Sequence, residues 1–179
     1  MIRRLAAAIG CGLLITAALV GCAGNNSPVG GLPGFNEPLA TADAKLNVEA
    51  ARAVISSYRV NNGLGTVTID PELMKLAGEQ ARAMAQRDKL DHNVWRPFQQ
   101  RIQQSSFDAS VAVENIAAGY DTLAEAFSGW RASPEHRSNM LNAAVTKMGI
   151  AAVYAPKSKY KVFWSLILAK PDEPRRTGR

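Results

Sequence analysis

An unbroken apolar run from Leu5 to Val20 opens the chain, and after it the apolar positions change spacing. Leu46, Ala50, Ala53, Val54 and Tyr58 recur at helical intervals, and Asn61-Asn62-Gly63 stops that pattern. The TVTI stretch at 66–69 is short and β-prone. Asp70-Pro71 then supplies an N-cap and a proline for the first helical position. The helix predicted over 71–87 puts Leu73, Leu76, Ala77, Ala81, Met84 and Ala85 on one face, with alanines small enough for close packing. Residues 90–108 are polar and irregular, with a short helix expected around Phe98 and Ile102.

The stretch SVAVENIAAGY, residues 110–120, is apolar around a single acid, Glu114. Thr122-x-x-Glu125 has the form of a capping box. It opens a helix ending near Ala132, with Leu123, Ala126, Phe127 and Trp130 inward. Ser133 reads as the cap of a second, short helix with Pro134 at its first position. KMGIAAVYA and YKVFWSLILAK are strand-like, and Pro156 to Lys159 reads as the hairpin between them. No internal repeat is present. Helices first and a terminal hairpin last predict an α+β fold or a three-layer α-β-α arrangement.

The length suits one domain with a real core. The net charge of +6 is mild, and the positive residues are scattered, with a small cluster at Arg175, Arg176 and Arg179. No basic stripe interleaves with aromatics, which argues against a nucleic-acid partner. The start is a different matter. Arg3 and Arg4 precede the apolar run and small residues follow it, the layout of a secretory signal. The run is slightly short for a spanning helix and has no basic stop beyond it. Leu19-Val20-Gly21-Cys22 resembles the lipobox of bacterial lipoproteins, in which the exposed cysteine is acylated. An uncleaved anchor or a plain signal peptide are the alternatives. More than one acyl chain on Cys22, of the palmitate kind, would hold the protein stably at a membrane. Ala23 follows the cysteine; bacterial lipoproteins retained at an inner membrane favour aspartate there, so outer-membrane sorting is expected where the cell has one.

This reading divides the chain into a signal peptide at 1–21, a Gly/Pro/Asn-rich tether at 22–40, a domain at 41–170 and a polar tail at 171–179. It also removes both cysteines, since Cys11 leaves with the signal and Cys22 carries lipid. No thiol is left for a disulfide, a zinc site or a nucleophile.

Candidate chemistry then rests on few residues. The histidines are His92 and His136. His136 falls in the first turn of the helix behind Ser133, where the helix dipole disfavours a protonated imidazole and a nearby carboxylate would oppose that. Glu114 sits in an apolar stretch and needs a partner, with Arg101, Arg137, His92 and His136 available. Ser133 lies three residues before His136, but a serine used as a cap is not a free nucleophile, and no catalytic residue is assigned. Trp130, Arg137 and Asn139 read as anchors of the short helix.

A family resemblance rests on specific segments: DHN with Phe98 and Arg101, then VENIAAG, then WRASPEHRSNMLNAAVTKMGIAAVY, then FWSLILAK. Together they resemble the CAP superfamily, or SCP domain, over roughly residues 45–170. The resemblance implies an α-β-α sandwich with a cleft lined by two histidines and acids, here His92, Glu114 and His136. Two positions depart from the pattern. Val113 replaces the glycine before the motif glutamate, and Ser133 stands where many eukaryotic members carry a further glutamate. Three uses of the cleft follow. The cleft, with His92, Glu114, His136 and Ser133, or a neighbouring groove holds a lipid-like or other small ligand. It binds a divalent metal such as zinc through His92, His136 and Glu114, in one version as a metal-assisted hydrolase. Or it is a purely structural network in an envelope protein.

Overall fold

Thr122 opens its helix with both halves of a capping box, its hydroxyl accepting from the Glu125 N–H and the Glu125 carboxylate accepting from the Thr122 N–H. That motif is one of several local signals that set the elements of the computed structural model, which describes residues 31–172. The signal peptide, Cys22, the first part of the tether and the last residues of the tail lie outside the described residues. The elements are α1 (Val48–Val60), β1 (Thr68–Ile69), α2 (Pro71–Arg87), α3 (Phe98–Gln103), β2 (Ala109–Ala118), α4 (Leu123–Ala132), α5 (Pro134–Met140), β3 (Lys147–Tyr154) and β4 (Val162–Pro171).

The strands form one sheet in the order β1-β3-β4-β2. β4 pairs antiparallel with β3 on one side and with β2 on the other, while β1 adds a short parallel edge to β3. β4 is central and covered on both faces, so its sequence reads as a continuous apolar run and not as an alternation. One face turns Trp164, Leu166 and Leu168 toward α1, α4 and α5. The other turns Ile167 and Ala169 toward α2 and α3. The expected α-β-α sandwich is the architecture observed, and β2 forms its open edge.

Close approach of α2 to the sheet depends on Gly149. A Cβ there would lie 2.1 Å from the carbonyl carbon of Leu73. On the opposite layer, Arg59 of α1 is buried and donates to the carbonyls of Gly65, Met140, Asn142 and Val145 at 2.8–3.0 Å. It ties the loop behind α5 to α1, satisfying carbonyls that would otherwise be buried without a donor.

Three expectations need correction. Helix α1 begins at Val48, because the side chain of Asn47 accepts from the Ala50 N–H and caps it there, leaving Leu46 outside. The packed unit starts before Thr41: Leu39 is in the core, and its N–H donates to the Asp121 carbonyl at 2.7 Å. Ser133 occupies the cap position of α5, yet its hydroxyl makes no capping bond. Ser133 also ends α4, its N–H bonded to the Gly129 carbonyl. With its backbone serving both helices, its side chain faces a pocket instead.

Candidate functional site

Strand alternation decides the site. Glu114 and Asn115 are neighbours on β2, so their side chains leave on opposite faces of the sheet. Because β2 is the edge strand, each face brings a different layer to it.

Glu114 faces the α2/α3 layer, its side chain 1% exposed. Nη2 of Arg101, from α3, lies 2.9 Å from both carboxylate oxygens. The Ser165 hydroxyl donates to Oε1 at 3.2 Å, and Nδ1 of His92 lies 2.8 Å from Oε2. The loop carrying His92 is held from behind. Arg101 donates to the His92 carbonyl at 3.2 Å, and Gln80 of α2 donates to the carbonyls of Asp91 and His92. The Arg101 guanidinium also lies over the Phe98 ring, 5.2 Å from its centroid. Glu114 is thus a buried carboxylate with every available direction engaged, which is what its burial requires. The His92 ring is half in solvent, with Nδ1 committed to Glu114.

Asn115 faces the α4/α5 layer. Its Nδ2 donates to the His136 carbonyl at 2.9 Å, and its Oδ1 accepts from Asn139 at 2.9 Å. Asn139 also donates to the Glu114 carbonyl, and Trp130 Nε1 donates to the Ile116 carbonyl at 3.4 Å. These side chains occupy carbonyls along the open edge of β2 and cover it with α4 and α5. Asn139 therefore anchors the short helix as expected, while Trp130 ties α4 and not α5 to the strand, and the Arg137 side chain is exposed and bonds no described residue.

His136 is held by its backbone, and its ring makes no hydrogen bond to a described residue. Burial lowers its pKa below the ordinary 6.5, and the His92 imidazole across the edge lowers it further, against a smaller opposing effect of Glu135. The ring is therefore neutral at neutral pH, offering one N–H and one lone pair. It lines a pocket of ≈ 240 Å³ with Ser133, Leu90, Ile116, Tyr120 and Trp130. The Tyr120 ring rests on Gly129, where a Cβ would lie 2.4 Å from the phenol oxygen.

The expected residues are brought to one edge strand, and the two imidazoles are near enough for His92 to lower the His136 pKa. His92 and Glu114 lie on one face of the sheet; His136 and Ser133 lie on the other. The residues do not fit a zinc site built from His92, Glu114 and His136. Both Glu114 oxygens are taken, and a guanidinium stands where a dication would have to approach. Among the described residues no three His, Cys, Asp or Glu side chains are grouped to hold a metal. A sealed carboxylate bound to arginine is equally unsuited to serve as a general base.

Sequence reasoning included Arg101 among possible partners of Glu114, but missed Asn115, Ser165, Gln80 and Tyr120. The signal for Asn115 was present: a polar residue beside a buried acid on a strand must face the other layer.

A model of the cysteine-rich secretory protein (CAP) family matches residues 52–168. The uncharacterised protein YkwD of Bacillus subtilis is 29% identical over 128 residues, covering 64% of this chain and 49% of YkwD. The chain thus spans about half the length of that curated relative. An outer surface protein of Borrelia burgdorferi superposes with a TM-score of 0.65 at 22% identity, over 73% of this chain and 97% of that one. An extracellular SCP-domain protein of Bacillus anthracis gives 0.60 at 22% identity, over 68% of this chain and 39% of that one. At these identities the two structures bear on the fold, and both share it.

Proposed function

The chain belongs to the CAP family, and we propose that it is an exported, membrane-anchored binding module, without catalytic machinery, whose ligand sits in the His136 pocket. One observation carries this reading. The hydroxyls of Tyr120 and Ser133 and the ring of His136 bond no described residue, yet they line a pocket whose other walls are Leu90, Ile116 and Trp130. Polar groups placed without partners in an apolar pocket suit a ligand with a small polar head and an apolar body. A volume of ≈ 240 Å³ takes part of such a molecule, with the exposed Leu90 at its mouth. The Glu114 network has a different task in this reading: it locks the two helical layers to the edge strand. The metal-assisted hydrolase has no comparable support, since Glu114 is spent.

Export and anchoring rest on the signal-like start and Cys22. The description of two structural relatives as extracellular and outer surface proteins supports a place in the cell envelope, with outer-membrane sorting where that membrane exists. Replacing Cys22→Ser releases the protein from membranes in this reading, and persistent membrane association removes the lipid anchor from it.

The pocket is tested by native mass spectrometry of the full-length chain in neutral detergent after incubation with vesicles containing oleic acid. A bound fatty acid is expected with the natural sequence and none with Ser133→Phe, which fills the pocket without losing a capping bond. A clean apo mass, or equal loading of the variant, sinks the reading.

A further inference from the structure

The side of α2 turned away from the sheet carries a groove separate from the His136 pocket. Glu79, Arg82, Ala83, Gln86 and Arg87 fall at helical intervals along one stripe of α2, and Trp95 from the following loop stands against them. The cavity measures ≈ 400 Å³. Ala83 is buried at its floor, Trp95 is a half-buried wall, and Arg82, Gln86 and Arg87 are exposed at the rim.

Its charge is unbalanced. Neither Arg82 nor Arg87 pairs with an acid among the described residues. Beside the groove, the Arg96 guanidinium lies 4.9 Å from the centroid of the Trp95 ring and donates to the Gln104 side chain. Glu79 is the one acid lining the groove. The dipole of α2 accounts for Arg87 in its last turn but not for Arg82, more than a turn earlier. The Arg82 guanidinium lies close to Gly78, where a Cβ would be 3.2 Å from its Nη1.

We infer that this groove binds a phosphate group carried on a flat, apolar moiety. Guanidinium groups present planar N–H donors that match phosphate oxygens. Two of them lining one cavity suit a dianion with three free oxygens better than a carboxylate with two. The small Ala83 floor leaves space for a ring to stack against Trp95.

Trp95 also supplies the readout. Of the three tryptophans, Trp130 and Trp164 are 1% and 0% exposed, so acrylamide quenching of fluorescence reports on Trp95. The full-length chain in neutral detergent is titrated with phenyl phosphate. Saturable protection from quenching is expected, weakening as salt is raised. The charge-reversed variant Arg82→Glu/Arg87→Glu is expected to bind at least about tenfold more weakly, as loss of charged hydrogen bonds implies. Arg82→Gln/Arg87→Gln removes the charge without reversing it and is expected to weaken binding in the same direction. Both positions are exposed, and circular dichroism checks that each variant is folded. Inorganic phosphate is expected to displace phenyl phosphate poorly, and phenol to give little protection. Absence of saturable protection overturns the proposal, as does unchanged binding by both folded variants. Phenol protecting as well as phenyl phosphate, or inorganic phosphate competing as well as phenyl phosphate itself, overturns it too. Trp130, which lines the His136 pocket, is 1% exposed and contributes little to acrylamide quenching, so either site can fail without the other.

Discussion

Nη2 of Arg101 stands 2.9 Å from both carboxylate oxygens of Glu114, with both side chains sealed from solvent. The pair joins α3 to the edge strand and, through the His92 carbonyl, fixes the loop between α2 and α3. Removing one member of a buried pair leaves a charge with no counterpart, at a cost of about 3–5 kcal/mol. Arg101→Met is expected to lower unfolding free energy by that amount in urea. Replacing both members, Arg101→Met with Glu114→Leu, is expected to cost less than the two single changes together. Strict additivity would show that the pair is not coupled.

His136 gives a pH dependence with a definite sign. Its folded pKa is lowered, first by burial and then by His92. The unfolded chain therefore binds the proton more readily, and stability rises with pH through the range between the two values. Its contribution is complete above the unfolded value near 6.5. It declines as pH falls below that, until the folded ring also protonates. Urea unfolding between neutral and mildly acidic pH should show this decline, and His136→Gln should flatten it. An imidazole titration followed by NMR that places His136 above 6.5 contradicts the assignment.

Arg59 donates to four backbone carbonyls, three of them in the segment from Met140 to Val145. Arg59→Met leaves them buried and unpaired, at a cost of about 1–3 kcal/mol for each group that water does not reach. A loss of at least about 3 kcal/mol is expected on that scale, together with faster amide exchange from Met140 to Val145. Arg59→Lys should recover only part of it, since one ammonium cannot span the same set of acceptors. Unchanged exchange in that segment would mean that the loop is held by something else.

Gly149 is needed for its lack of a side chain and not for backbone freedom. A methyl group would collide with the first turn of α2 at Leu73 and Met74. Gly149→Ala is expected to destabilise by about 1–3 kcal/mol, the usual range for overpacking, or more because the obstacle is backbone. A thermal melt checks this. A stability equal to that of the natural sequence would show that α2 shifts without penalty.

Much of the local structure is legible in the chain itself. Asp70-Pro71, the Thr122–Glu125 box and Ser133-Pro134 mark helix starts that the structure reproduces, because capping and proline geometry act within a few residues. The inward positions Leu123, Ala126, Phe127 and Trp130 follow from helical period alone. The strand character of the last segments and their hairpin are equally plain. So is the need of Glu114 for a partner, since a buried acid is costly wherever it lies.

Tertiary structure decided which partner it has and what that leaves over. The order β1-β3-β4-β2 places β2 at the edge, so Glu114 and Asn115 meet different layers. His92 reaches that strand with Glu114 from the α2/α3 side and His136 from the α4/α5 side, and the two imidazoles still interact across it. Arg101 reaches Glu114 from a six-residue helix whose position no local pattern encodes. Ser133, a cap by every local rule, has its hydroxyl turned to a pocket because its backbone ends one helix and begins another. Local preferences depend on neighbours in sequence and can be read from them. The pairing of charges and the lining of pockets depend on residues brought together from distant parts of the chain, and only packing selects which ones meet.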